Sequence, residues 1–394
     1  MIELIINKNK DTKTIAEVEN GNLIEVYEEN EESKKARNEG NIYSGVIKDI
    51  VPGMQAAFID IGIEKNSFIH VKDIIPQVDE KIEEKVEPKI KDVVKQNQRI
   101  LVQIQKDSND KKGARTSTHI KIPGKYLILM PNTNIITISQ KIQNEKEKER
   151  LLGIAKKNLD KNMGVIVRTA AQKKQETEII RDLEILQAKW KEISQKFKRG
   201  NEKPRLLYKS PSVIEKLILD MPENSIQSIE VNDKEEYNEI KEKLEELQEK
   251  SIKLELKEGI DLFEKYEIDK QIEKSKQRKI WLNCGGFITI DSTEALVAID
   301  VNSGKYTGKT TLEETVYKVN YEATIEIAKQ LKLRDIGGII IIDYIDMQKQ
   351  ENKDKIENLL KETLKQDRAK TQVEGFTRLN LMEMTRKHIC SHNS

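Results

Sequence analysis

Two apolar runs that each stop on an aspartate constrain this chain more than anything else in it. They are Ala295-Leu296-Val297-Ala298-Ile299-Asp300 and Gly338-Ile339-Ile340-Ile341-Ile342-Asp343, and the stretch between them, Thr311 to Arg334, reads as a helix. Strand, helix, strand is the pattern of a βαβ unit, whose right-handed crossover makes the two strands parallel and usually neighbours. Parallel neighbours lie about 4.8 Å apart, so both aspartates are expected at the carboxyl edge of one sheet, where open α/β sheets place their sites. Two carboxylates that close repel unless a proton or a cation joins them. A divalent ion that prefers oxygen ligands and keeps several waters, Mg²⁺, is the simplest reading, and it points to phosphate chemistry.

The chain is long enough for two to four domains. Charged residues make up 35% of it and hydrophobic ones 37%, which allows a core beneath a heavily charged surface. The net charge of +1 argues against a uniformly basic nucleic-acid binder but hides local patches. Residues 95–125 hold eight Lys and Arg, Lys112 among them, against Asp107 and Asp110, a candidate polyanion surface. Residues 233–250 hold eight Asp and Glu against four Lys, which reads as a solvated helix face. Cys284 and Cys390 stand far apart and indicate no disulfide framework. Met1-Ile2-Glu3-Leu4 shows no basic region followed by an apolar one, and no apolar run approaches the ~20 residues of a membrane span. The expected location is cytoplasmic.

Residues 2–28 alternate apolar and polar around Asn20-Gly21, a hairpin signal, so a small β-meander is expected there. From Asn41 the strands are short: Ile42–Ile50, Gln55–Ile61, Ser67–Val71 and Gln98–Gln105, with turns at Pro52-Gly53 and Glu64-Lys65-Asn66. Such spacing suggests a small barrel, with Phe58 and Phe68 on adjacent strands. In OB-type barrels, aromatics on the strand face stack bases while basic residues meet phosphates. The alternative is that both rings fill the barrel core. Residues 119–210 form a third block, with strands at Tyr126–Met130 and Gly164–Arg168. Its helix over 173–198 carries an apolar face of Ile179, Ile180, Leu183, Leu186 and Trp190. Residues 211–278 read as helical and charged, with Ile240, Leu244, Leu247 and Ile252 at helical spacing and no evident chemistry.

Ser303-Gly304-Lys305-Tyr306-Thr307-Gly308-Lys309-Thr310 follows the first aspartate run and nearly makes a phosphate-binding P-loop. The motif requires four residues between its glycines, and Gly304 and Gly308 enclose three. A P-loop-like NTPase is therefore kept as an alternative, marked by Lys309; the plain reading is a polar loop.

Longer segments resemble the ribonuclease E/G family of bacterial endoribonucleases, in the family's order and over almost the whole chain. Tyr43 to Ile74, with Pro52-Gly53-Met54-Gln55-Ala56-Ala57-Phe58-Ile59-Asp60-Ile61-Gly62, looks like the family's S1 domain. Gly124-Lys125-Tyr126-Leu127-Ile128-Leu129-Met130-Pro131 and Gly164-Val165-Ile166-Val167-Arg168-Thr169-Ala170 resemble its sensor of RNA 5′ ends. Ala298-Ile299-Asp300-Val301-Asn302-Ser303-Gly304 and Ile342-Asp343-Tyr344-Ile345-Asp346-Met347 look like its catalytic motifs. Leu381-Met382-Glu383-Met384-Thr385-Arg386-Lys387 resembles the segment before its zinc link. The likeness is nearer the ribonuclease G branch, which lacks the long disordered tail of ribonuclease E.

The resemblance implies an α+β multidomain chain. Residues 1–36 and 211–278 would form an RNase H-like scaffold. An S1-type OB barrel (37–118) and a 5′-phosphate sensor (119–210) would be inserted in it, and a DNase I-like α/β catalytic domain (279–387) would follow. It implies hydrolysis of single-stranded RNA, such as rRNA precursors and mRNA, leaving a 5′-phosphate and a 3′-hydroxyl. Asp300 and Asp343 would hold Mg²⁺, and Asn302 would orient the scissile phosphate or the ion's water. Phe58, Phe68 and Lys112 would bind RNA. Gly124, Ile128, Arg168 and Thr169 would recognise a 5′-monophosphate, whose charge and oxygens suit an arginine fork beside a hydroxyl. For Arg168 the alternative is a structural salt bridge.

Two departures from the family pattern follow. Family members share zinc between subunits through a Cys-Pro-x-Cys element after the Arg386 region, whereas this chain has His388-Ile389-Cys390-Ser391-His392 and stops at Ser394. Residues 388–394 are read as a remnant of the zinc-link tail, with Cys390 at best a weak Zn²⁺ ligand. The expectation is a monomer or weak dimer where the family forms dimers or higher oligomers, and an RNA-binding protein with reduced or lost catalysis stands as the alternative. Cys284 occupies a place where the family usually has Ser, and a small buried thiol is expected there.

Overall fold

The computed structural model describes residues 1–10, 12–30, 38–74, 88–108, 112–200, 203–222, 224–247, 249–304, 311–365 and 367–388. The chain divides into two compact units, Met1–Asn30 with Asn224–Ser394, and Glu31–Glu223. The first unit opens with an antiparallel meander, β1 (Ile2–Asn9), β2 (Thr12–Glu19) and β3 (Asn22–Asn30). Asn20 and Gly21 join the last two with φ of 50° and 76°, the left-handed pair that a two-residue hairpin turn requires.

In the second unit, β4 (Ile42–Val51), β5 (Ala56–Asp60), β6 (Ser67–His70), β7 (Arg99–Lys106) and β8 (Arg115–Ser117) close into a barrel, because β4 pairs with both β5 and β7. Ile47, Ala57, Ile59, Ile69, Val102 and Ile104 fill it. A second sheet follows, with β9 (Ile122–Pro123), β10 (Leu127–Met130), β11 (Ile136–Ile138) and β12 (Gly164–Val167) in the order β11-β12-β10-β9. The Glu145–Asn158 and Glu176–Arg199 helices share its core, the latter burying Ile179, Leu183, Leu186 and Ile193. β13 (Arg205–Tyr208), a strand not read from the sequence, does not join this second sheet. It pairs antiparallel with β4 on the barrel. The Val213–Asp220 helix, read from sequence with the 211–278 segment, likewise belongs to the Glu31–Glu223 unit.

The 211–278 stretch is not purely helical. β14 (Ile226–Val231) lies parallel to β1, and β15 (Lys253–Leu256) lies parallel to β14, giving the order β15-β14-β1-β2-β3. Both strands are short and sit beside a strongly charged helix, Lys234–Leu247, which masks their alternation in the sequence. That helix buries Ile240 and Leu244 but ends before Ile252.

The rest of the first unit is a six-stranded sheet of β16 (Lys279–Trp281), β17 (Phe287–Ser292), β18 (Leu296–Asn302), β19 (Gly338–Asp343), β20 (Thr371–Phe376) and β21 (Leu381–Arg386). Its order is β16-β17-β18-β19-β21-β20, with only β18 and β19 parallel. Side chains alternate across it. Ile288, Ile290, Val297, Ile299, Val301, Ile340, Ile342, Met382 and Met384 point to one face, where the Leu312–Leu333 and Gln350–Leu364 helices cover them. The first helix starts cleanly because Thr311 caps it, its hydroxyl accepting from the Glu314 N–H at 3.2 Å. Among the described residues, no helix is long and apolar enough to cross a membrane.

Candidate functional site

The βαβ expectation holds to the residue. β18 and β19 are parallel neighbours, and Asp300 stands directly opposite Asp343. Both lie on the face turned away from the helices, exposed, as does Asn302 two residues beyond Asp300. Among the described residues neither aspartate forms an ion pair, and no group of three or more His, Cys, Asp or Glu is placed to hold a metal by itself. Burial first, then the charges of Asp300 and Asp346, push the Asp343 carboxyl above its ordinary value.

The chain just past Asp343 is anchored by residues that sequence reading did not single out. Asn320, buried in the Leu312–Leu333 helix, donates to the Ile345 carbonyl at 2.8 Å and accepts from its N–H at 3.1 Å. Thr324 and Tyr344 share a buried hydroxyl contact at 2.9 Å. Glu313 accepts from the N–H groups of Gln348 and Lys349, each at 3.1 Å. A polar side chain buried at helical spacing was the available signal for Asn320. At the end of β18, the Asn302 Oδ1 accepts weakly from the Gly304 N–H at 3.5 Å. Gly304 has φ of +58°, and a Cβ there would come within 2.5 Å of the Gly285 carbonyl, so only glycine lets the two turns meet. Cys284 is half-buried in the first of these turns, its N–H donating to Glu322 at 2.8 Å, and burial raises its thiol.

Phe58 and Phe68 are direct partners across β5 and β6, with ring centroids 6.0 Å apart, edge to face. They are half-buried and point outward, while Ala57, Ile59 and Ile69 point into the barrel. The core-filling alternative therefore fails. Arg115 is paired in register with Phe68 and forks onto Asp73, and Lys112 is exposed nearby in the chain.

At the other expected site, β10 and β12 are antiparallel, and the Arg168 N–H donates to the Tyr126 carbonyl at 2.8 Å, which brings Gly124, Arg168 and Thr169 together. Ile128, half-buried, is paired with Ile166. Thr169 is exposed and shares a 2.9 Å hydroxyl contact with Ser139. The Arg168 guanidinium is engaged by the protein itself. It donates to the Gly124 carbonyl at 2.7 Å and the Leu219 carbonyl at 3.3 Å, and it pairs with Asp220. Beside it, the N–H groups of Lys125, Tyr126 and Leu127 converge on Asp182 at 3.1, 2.8 and 2.9 Å. A Cβ on Gly124 would lie 2.6 Å from that carboxylate. The salt-bridge alternative thus describes Arg168 as it stands, and neither Asp220, its partner, nor Asp182, the backbone acceptor beside it, was visible from spacing alone. The near P-loop from Lys305 onward and the tail residues Cys390 and His392 lie outside the described residues.

Residues 37–119 match the S1 RNA binding domain, and residues 121–389 match the Ribonuclease E/G family. Ribonuclease G of Escherichia coli K12 is 36% identical over 391 residues, covering 98% of this chain and 79% of that protein. Ribonuclease G of Haemophilus influenzae is 37% identical over 392 residues with the same coverage. Ribonuclease E of Synechocystis is 36% identical over 354 residues, 88% of this chain and 52% of that one. With an identity this high sustained from end to end, the chain belongs to the ribonuclease E/G family and is an endoribonuclease with an S1 RNA-binding domain.

Proposed function

We propose that this chain is a Mg²⁺-dependent, single-strand-specific endoribonuclease of RNA processing and decay, with its reaction centre at Asp300, Asn302 and Asp343 and a preference for 5′-monophosphorylated RNA. One observation carries the reading: two carboxylates stand side by side, in register and exposed, and neither forms an ion pair among the described residues. The donor set fits the ion. Hard carboxylate oxygens suit Mg²⁺, and so does a site of two protein carboxylates that leaves room for water and phosphate. When bound, Mg²⁺ supplies Lewis-acid polarisation of the phosphate and a more acidic water. Asp300 and Asp343 hold the ion. Asn302, one pleat away on the same face, hydrogen-bonds the scissile phosphate. Asn320 and Glu313 fix the backbone after Asp343, so the pair keeps its spacing under load.

The fold supports a division of labour. The β3-β2-β1-β14-β15 order, three antiparallel strands and then two parallel ones, suits an RNase H-like scaffold. The six-stranded sheet with its helices suits a DNase I-like catalytic domain. Phe58, Phe68 and Lys112 serve the S1 face, and Gly124, Ile128, Arg168 and Thr169 serve the 5′ end, with Asp220 giving way to the phosphate. The test is cleavage of a 5′-monophosphorylated single-stranded oligonucleotide in Mg²⁺. Asp300→Asn and Asp343→Asn should each lower the rate by roughly a thousandfold while leaving binding in EDTA intact. Wild-type rates in either variant would overturn the assignment.

A further inference from the structure

The open face of the six-stranded sheet carries more than its carboxylates. Read across the strands in register, Asp343, Asp300, Thr289 and Lys279 form one row. The next row, one pleat further on, is Asn302, Phe287 and Trp281. Phe287 is therefore the diagonal neighbour of Asp300, about 7–8 Å away and within reach of a shared ligand. Trp281 is 60% exposed, although its strand neighbours Ile280 and Leu282 are buried on the helix side. The two rings meet edge to face, centroids 5.3 Å apart. The Lys279 ammonium lies 4.2 Å from the Trp281 centroid and 3.6 Å from that of Phe287. Among the described residues Lys279 pairs with no carboxylate.

We propose that Trp281 and Phe287, with Lys279, form a subsite that stacks a base of single-stranded RNA next to the scissile phosphate. The proposal rests on the reading of Asp300 and Asp343 given above. The surroundings decide the occupant. Among the described residues, an apolar protein segment would find two rings hemmed by Thr289, Asn302, Asp300 and Lys279, with no apolar groove to enter. A nucleotide finds two rings on which its base can stack once the Lys279 ammonium swings from them to its phosphate, and a continuous path along the row to Asn302. Stacking accepts any base, and losing such a contact costs about 1–3 kcal/mol. The platform thus holds the strand in line at the reaction centre without dictating its sequence.

The chain has two tryptophans, and Trp190 lies in the Glu176–Arg199 helix, so Trp190→Phe leaves Trp281 as the sole indole reporter. In EDTA, titrating that protein with a single-stranded 5′-monophosphorylated oligonucleotide should quench Trp281 emission. An oligonucleotide abasic on both sides of the cleavage point should bind about tenfold more weakly. A Trp281→Ala/Phe287→Ala variant should bind intact RNA about tenfold more weakly and no longer distinguish the abasic strand, and Trp281→Phe should restore most of the difference. Emission that ignores saturating RNA, or a double variant that still discriminates, would overturn the platform. The titration requires no cleavage, so the two readings fail separately. Quenching with no Mg²⁺-dependent cutting sinks the reaction-centre assignment, whereas cutting with a silent Trp281 sinks the platform.

Discussion

The Arg168 neighbourhood and the Asp300–Asp343 edge both concentrate charge, and they treat it in opposite ways. Around Arg168 the chain answers every charge itself: Asp220 and two carbonyls take the guanidinium, and Asp182 fills a nest of three N–H groups. At Asp300 and Asp343 no ion pair forms among the described residues, and the two carboxylates are left exposed side by side. A compensated cation is explicable as architecture and needs a competitor before it becomes a sensor. An uncompensated pair lacks an architectural explanation, because it costs stability that the fold would otherwise keep. The contrast predicts that mutations at the first place chiefly damage the fold, and that mutations at the second damage chemistry while relieving the fold.

The largest stability effect should come from Asp182. Asp182→Ala leaves three backbone donors without their acceptor and should cost about 3 kcal/mol in denaturant unfolding. Asp182→Asn, which keeps an acceptor oxygen, should lose less. A cost under about 1 kcal/mol would mean that water or an anion replaces the carboxylate easily, and the compensated picture would break. Arg168→Ala should destabilise by about 1–2 kcal/mol and remove the preference for 5′-monophosphorylated over 5′-hydroxylated RNA while basal cleavage persists. An intact preference in a folded Arg168→Ala protein would reduce Arg168 to a structural tie.

The barrel face sharpens the comparison from a third side, since its two rings point outward from adjacent strands. Phe58→Ala and Phe68→Ala should each weaken single-stranded RNA binding by about 1–3 kcal/mol with little change in stability. Lys112→Ala should flatten the salt dependence of binding by about one unit. RNA affinity unchanged in a folded double-Phe variant would remove the barrel from the RNA path.

What was legible in the sequence follows the range of the forces involved. The Asp300–Asp343 pairing could be read because strand period and crossover handedness act locally and leave one register. The outward pose of Phe58 and Phe68 was half legible: the strands were clear, but which face met the core depended on closure between β4 and β7. β14 and β15 escaped because both are short and β1, the partner of β14, lies more than two hundred residues earlier. Asp182, Asp220 and Asn320 escaped for a related reason. Each is defined by a contact brought near only by the fold, to backbone for Asp182 and Asn320 and to the Arg168 guanidinium for Asp220, and a lone acidic or amide residue on a helix does not name its partner.

The smallest predicted effect is also the most direct test of the uncompensated pair. An unfolded aspartate titrates near pH 3.9, and the folded Asp343 carboxyl titrates higher. The folded chain therefore holds that proton more tightly than the unfolded chain does. Its contribution to stability is fully present below about pH 3.9 and is lost as the pH rises through the folded value. At neutral pH the ionised pair is then a net liability, so Asp343→Asn should stabilise the metal-free protein, though by less than about 1 kcal/mol because solvent screens an exposed carboxylate. The gain should shrink to nothing as the pH falls toward about 4. Mg²⁺ should raise the Tm of the wild-type protein at neutral pH and leave that of Asp343→Asn almost unmoved. Thermal melts of the two proteins across pH, with and without the ion, decide the matter. A variant that is less stable at neutral pH, or one that Mg²⁺ stabilises as well as wild type, would show that the edge is held by something other than a cation bound to this pair.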